Sequence, residues 1–103
     1  MFEAVFARGT NPIHYYETPY TAEDIVKVSV TYRQNGKNIV KKTLEDCLME
    51  ENRIEVQLTQ QETMQFVEGE ALAQVKIRTK DGEILRSLDH RIQILGIFDE
   101  EEF

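Results

Sequence analysis

The sequence predicts an all-β domain, a sandwich or small barrel of about seven short strands with one short helix. Two observations carry this. Between positions 26 and 95 apolar side chains recur at every second residue, the period of a strand with one face buried and one face wet. Turn signals break the rhythm about every 8 to 12 residues, the spacing of small antiparallel domains. A third observation sets the scale: 103 residues, 41% hydrophobic, with two prolines and five glycines, is the composition of one folded globular domain. The expected division is a single sandwich over 1–98 followed by an acidic tail over 99–103.

Taken in order, Phe2 to Ala7 and Ile13 to Tyr16 read as strands separated by a Gly9 to Pro12 turn. Val26, Val28, Val30 and Tyr32 fall on one face of the next strand, with Lys27, Ser29, Thr31 and Arg33 on the other. Asn35-Gly36 then reverses the chain, because both positions accept positive φ, and a partner strand runs from Lys37 to about Leu44. Glu50-Glu51-Asn52 is a polar turn. Ile54, Val56 and Leu58 alternate with Arg53, Glu55 and Gln57 in a further half-buried strand.

At Thr59-Gln60-Gln61-Glu62 the pattern becomes that of a helix start. The threonine side chain can take the amide three residues on while the glutamate reaches back, a capping box, so a short helix is expected over 60–66, ended by Gly69. Ala73, Val75 and Ile77 restore the two-residue period, Lys80-Asp81-Gly82-Glu83 supplies a second hairpin turn, and Ile84-Leu85 and Ile92 to Ile97 are the last strands. Ser87 to His90 between them is irregular enough for a bulge or kink.

Single Cys47 forms no internal disulfide, and one thiol with two histidines makes no zinc set. Met1-Phe2-Glu3 opens no leader-like pattern and no apolar run reaches membrane-spanning length, so a soluble, cytoplasmic protein is expected. A net charge of -7 argues against nucleic acid as a general partner. The charge is unevenly spread. Lys27, Arg33, Lys37, Lys41 and Lys42 stand together without an acid between Val26 and Thr43, while Asp99 to Glu102 are all acidic.

Catalytic chemistry finds little support. A nucleophile set would have to be drawn from Cys47, His90 and Asp89, and adjacent strand residues point to opposite faces. The carboxylates Glu45-Asp46, Glu50-Glu51 and Asp99 to Glu102 sit in turns or the tail, with nothing apolar beside them to raise a pKa. No calcium loop or glycine-rich phosphate loop is present. The chain is therefore expected not to be an enzyme and to need no cofactor or metal.

What remains is binding. Tyr15, Tyr16 and Tyr20 form an aromatic cluster that suits core packing, a protein interface or a carbohydrate platform. Phe98 and Phe103 in the acidic tail suit anchoring to a neighbouring chain or simple fraying. Lys37, Lys41 and Lys42 make the hairpin basic. Its Lys27 and Arg33 are either answered by Glu55 on a neighbouring strand or free to dock an acidic surface, such as the tail of another copy.

The order of strand, capped helix, strand, tight turn and strand over Arg53 to Ile97 resembles strands E, F and G of immunoglobulin-like domains. The tight Asn35-Gly36 hairpin is a misfit, because it pairs its two strands directly whereas the corresponding B and C strands of that fold lie in opposite sheets, so a variant topology is expected. Val30-Thr31-Tyr32-Arg33-Gln34-Asn35-Gly36, Leu44-Glu45-Asp46-Cys47, Val56 to Phe66 and Gln74 to Gly82 together resemble short proteins from tail and baseplate gene modules of phages and prophages of Gram-positive bacteria. The likeness runs from Asn11 to Leu95. Tyr15-Tyr16-Glu17 and His90-Arg91 depart from that group's pattern. The resemblance implies an immunoglobulin-like β-sandwich of about seven strands, made in the bacterial cytoplasm and incorporated in a virion. Its expected partners are other tail or baseplate proteins or a second copy, not nucleic acid or membrane. A carbohydrate- or host-surface-binding module is the alternative.

Overall fold

A computed structural model describes residues 2–101, and among them nine strands and one short helix follow the alternation of the sequence. The strands are β1 (Ala4–Ala7), β2 (Ile13–Glu17), β3 (Ile25–Gln34), β4 (Lys37–Thr43), β5 (Cys47–Glu50), β6 (Arg53–Gln57), β7 (Gly69–Thr79), β8 (Ile84–Arg86) and β9 (His90–Leu95), with helix α1 at Gln60–Met64. Single 3-10 turns at Ala22–Asp24 and Leu44–Asp46 precede β3 and β5.

Two sheets form. The larger runs β1-β9-β7-β3-β4, with β8 added to β7, and the smaller runs β2-β6-β5. Their inner faces meet over one core of buried side chains, among them Val28, Val30 and Tyr32 from β3, Ile54 and Val56 from β6, and Ala71, Ala73 and Ile92 from β7 and β9. The small side chains Ala71 and Ala73 leave room for the rings of Tyr32 and Phe66, which meet edge to face at 6.3 Å.

This strand order is that of an immunoglobulin-like sandwich. With β2, β6 and β5 as strands B, E and D, and β9, β7, β3 and β4 as G, F, C and an added C′, each sheet has the membership the fold requires, the added strand being the variable-type feature. Strand β1 lies parallel along β9, with Ala4 opposite Ile92 and Ala7 opposite Leu95. The Asn35-Gly36 hairpin is thereby explained. It joins β3 to β4 within one sheet, as C to C′, rather than B to C across the sandwich. Asn35 (φ 52) and Gly36 (φ 78) both take the positive φ of a two-residue hairpin turn.

Several expectations need correction. Strand β5 falls between the strand expected to end near Leu44 and the Glu50-Glu51-Asn52 turn, where no strand is expected, and the count rises to nine. Helix α1 stops at Met64, short of 66, because Phe66 leaves the helical path to become fully buried in the core. Its capping box is formed as expected, Thr59 Oγ1 accepting the Glu62 amide at 3.1 Å and Glu62 Oε1 accepting the Thr59 amide at 2.8 Å. Gly69 does not end the helix but opens β7, at φ 136. Val26 is exposed, since a register shift between Ile25 and Lys27 turns Ile25 inward in its place. Glu55 belongs to β6 of the other sheet and cannot answer Lys27 or Arg33 on β3; Arg33 Nε donates to Asn38 instead. Tyr15-Tyr16-Glu17 lies in regular strand, paired along its length with Glu55, Ile54 and Arg53.

Candidate functional site

The inward side chains of β2 are polar where a sandwich core is normally apolar. His14 and Tyr16, two residues apart on one face, both point across the interior toward Tyr32 on β3 of the other sheet. His14 Nδ1 and the Tyr32 hydroxyl are 2.8 Å apart, and the Tyr16 hydroxyl stands 2.9 Å from the same Tyr32 oxygen. Antibody domains tie strands B and F by a disulfide beside a Trp on strand C; this chain ties its B and C strands by a hydrogen-bonded imidazole and two phenols. Burial pushes the Tyr16 phenol up to about 12 and the Tyr32 phenol higher still, and it lowers the His14 imidazole. His14 Nε2 is buried without a partner. The favoured tautomer therefore carries its proton on Nδ1, donating to Tyr32, because a bare lone pair costs less in an apolar site than an orphaned N–H.

A cleft of about 500 Å³ opens beside this bridge between β1 and β2, lined by Glu3, His14, Tyr16 and His90 among others. His90 Nδ1 lies 3.0 Å from Glu3 Oε1, and its ring is 5.0 Å from that of Tyr16. Cys47 stays apart from both histidines. It is opposite Val56, which is opposite His14, so β6 stands between them, and two strand spacings amount to roughly 10 Å. Asp89 turns to Gln74 and Arg86. Cys47, His90 and Asp89 thus do not converge, and burial together with Asp46 raises the Cys47 thiol away from the reactive thiolate.

The tyrosines expected to act together are separated. Tyr16 is 7% exposed and belongs to the core, a correction to its reading as an interaction residue. Tyr15, on the opposite face of the same strand, is 51% exposed beneath the Arg53 guanidinium, 4.4 Å from its ring centre. Tyr20 is half-buried and donates to Glu83 at 2.7 Å. No shared platform of three rings exists. Phe98 is fully exposed beyond β9, and Phe103 lies outside the described residues.

The basic hairpin also divides. Lys42 is drawn inward, its ammonium 2.8 Å from Glu62 Oε1. Burial would raise Glu62, but Lys42 and the Thr59 amide outweigh it and hold that carboxylate below its usual range. Lys37 is exposed at the hairpin tip and Lys41 exposed on the outer face of the larger sheet.

On that outer face the strand register assembles something the linear sequence does not display. Lys27 on β3 is directly opposite Arg78 on β7, and Lys76 on β7 is opposite Arg86 on β8. Lys27, Lys41, Lys76 and Arg78 line a shallow depression of about 200 Å³ edged by Ser29 and the exposed Ile84. Arg86 is paired with Asp89, but among the described residues Lys27, Lys41, Lys76 and Arg78 make no ion pair. The outer face of the smaller sheet is the reverse, carrying Glu17, Glu50 and Glu55 around exposed Ile13, Tyr15 and Leu48. Lys76 and Arg78 were not singled out from the sequence, although the Gln74-Val75-Lys76-Ile77-Arg78 alternation places both on the wet side.

No protein-family model and no curated protein matches the chain. Among solved structures, the V domain of amphioxus IgVJ-C2 is similar at 13% identity and a TM-score of 0.35, over 88% of this chain and 98% of that one. The strand order and register described above carry the immunoglobulin-like assignment. No helix among the described residues is long and apolar enough to cross a membrane.

Proposed function

We propose that this chain is a non-catalytic, protein-binding structural component of a phage or prophage tail or baseplate, made in the bacterial cytoplasm and carried into the virion. The observation that carries the binding role is the outer face of the larger sheet. Like charges directly opposite one another on a sheet are destabilising, yet Lys27 and Arg78 are held so, beside Lys41 and Lys76, with no carboxylate lining the depression. A face kept at that cost in a chain of net charge -7 is one whose charge is neutralised by a partner. Electrostatic complementarity of this kind sets partner choice and association rate more than raw affinity. The phage context comes from the sequence resemblance over Asn11 to Leu95. The carbohydrate alternative weakens with Tyr16 in the core and Tyr20 turned to Glu83.

The test is calorimetric titration of the full chain against purified tail and baseplate proteins encoded beside it. Binding to at least one of them, weakened tenfold or more by Lys76→Glu with Arg78→Glu, supports the proposal. Absence of binding to all of them contradicts it.

A further inference from the structure

We infer that the basic depression on the outer face of the larger sheet receives the acidic segment 98–101 of a second copy, giving a head-to-tail contact. The inference rests on the protein-binding reading above and names the partner. Two features of the fold lead to it. Lys27, Lys41, Lys76 and Arg78 converge with no ion pair among the described residues, next to an exposed isoleucine, Ile84. The segment that follows β9 offers the matching chemistry, a fully exposed Phe98 ahead of the exposed acids Asp99, Glu100 and Glu101.

Geometry makes the contact intermolecular. Ile94 pairs with Gly69 at the start of β7, whereas Arg78 lies nine residues further along the same strand, a distance of about 30 Å at strand rise. To reach Lys76 or Arg78 the residues from Ile94 to Glu101 would have to double back along the outer face, since antiparallel β9 carries them out at the Gly69 end. They are not free to extend in that direction, because Glu100 is paired with Arg8, just beyond the end of β1. A chain therefore cannot fill its own depression. The basic patch and the acidic segment sit toward opposite ends of a molecule 48 Å long. Two different surfaces meeting in this way make a heterologous contact, which either closes as a ring or continues as a filament. Pairing the segment with the depression removes the Lys27–Arg78 repulsion and seats Phe98 against Ile84.

The test is sedimentation velocity of the full chain over a concentration series at low and high salt. The weight-average mass is expected to rise above 12.0 kDa at low salt. It should return to the monomer value near 1 M, where screening acts within about 3 Å. Lys76→Gln with Arg78→Gln halves the patch charge, and Asp99→Asn with Glu101→Gln leaves only Glu100, the acid already paired with Arg8, among the described acids of the segment; all four side chains are exposed, so both variants fold. Each variant alone stays monomeric. An equal mixture forms dimers and nothing larger, because one copy keeps the patch and the other the segment. A monomer at every concentration, or unchanged association of the segment variant, overturns the inference. So does tighter binding of a single-stranded oligonucleotide than of a second copy. A chain that stays monomeric yet binds purified tail proteins overturns the inference alone and leaves the proposed function standing.

Discussion

The Nδ1 atom of His14 and the hydroxyl of Tyr32 stand 2.8 Å apart across the interior of the sandwich, joining β2 of one sheet to β3 of the other. Tyr16 adds its hydroxyl to the same oxygen at 2.9 Å. The Tyr32 oxygen is thus the single node of the inter-sheet bridge. In Tyr32→Phe it is lost with almost no change in ring packing, and two buried polar groups lose their partner together. Leaving a buried donor or acceptor unsatisfied costs about 1–3 kcal/mol, and in a domain of this size 1 kcal/mol moves the Tm by roughly 4–8 °C. Thermal unfolding should show a Tm lower by about 5–15 °C on these scales. A variant as stable as the parent means the bridge is dispensable.

His14 should also make the fold acid-sensitive above the carboxylate range. Unfolded, the imidazole takes up a proton near pH 6.5; folded, burial holds its affinity for that proton lower. Its ring contacts are Phe6, Tyr16 and Tyr32, and the two phenols keep their protons throughout. Glu3 lines the same cleft, but its carboxylate is taken by His90 and the Arg91 amide rather than by the His14 ring. Between the two values the unfolded chain binds more protons, so the stability His14 contributes is complete above pH 6.5 and falls away as the pH drops toward the folded value. Urea unfolding between about pH 5 and 7 should show this slope. In His14→Gln it should flatten, and an equal slope in both proteins would place the acid sensitivity elsewhere.

Gly36 tests the hairpin. Its φ is 78, and a Cβ there would meet nothing within 4 Å. Gly36→Ala therefore isolates backbone conformation from crowding, and the left-handed region costs an ordinary residue about 1–2 kcal/mol. Chemical denaturation should report a loss of that size with an unchanged m-value. No loss would mean the turn relaxes to another type.

Thr59 holds more than its own helix. Its side chain caps α1, and its amide orients the Glu62 carboxylate that receives Lys42 from β4. Thr59→Ala removes the capping hydroxyl at a cost of about 1 kcal/mol. It also frays the turn that presents Glu62, so hydrogen exchange should quicken at Thr63 and Gln65, whose amides bond within that turn. Unaltered exchange there would mean that Phe66 packing alone holds the segment.

Much of the fold was legible locally. The rhythm of Val28, Val30 and Tyr32, the Asn35-Gly36 reversal and the Thr59–Glu62 box are short-range signals, and each has the structure its chemistry requires. Three features were not legible because they depend on distant pairing. Val26 reads as core until the shift beside Ile25 turns it outward. Tyr16 reads as either a core or an interaction ring until Tyr32 supplies a partner for its hydroxyl. The basic depression draws Lys27 and Lys41 from one hairpin, and Lys76 and Arg78 from a strand far along the chain. Only the antiparallel register of β3 on β7 brings them together.

The central claim is that the outer face of the larger sheet is where this protein meets its partner. Amide chemical shifts of the isotope-labelled chain, followed while an unlabelled partner is added, test it most directly. That partner is a second copy or a tail protein that binds. The account predicts shifts centred on Lys27, Lys41, Lys76 and Arg78 that vanish at high salt. Shifts confined instead to Tyr15, Leu48 and their neighbours on the smaller sheet would contradict it.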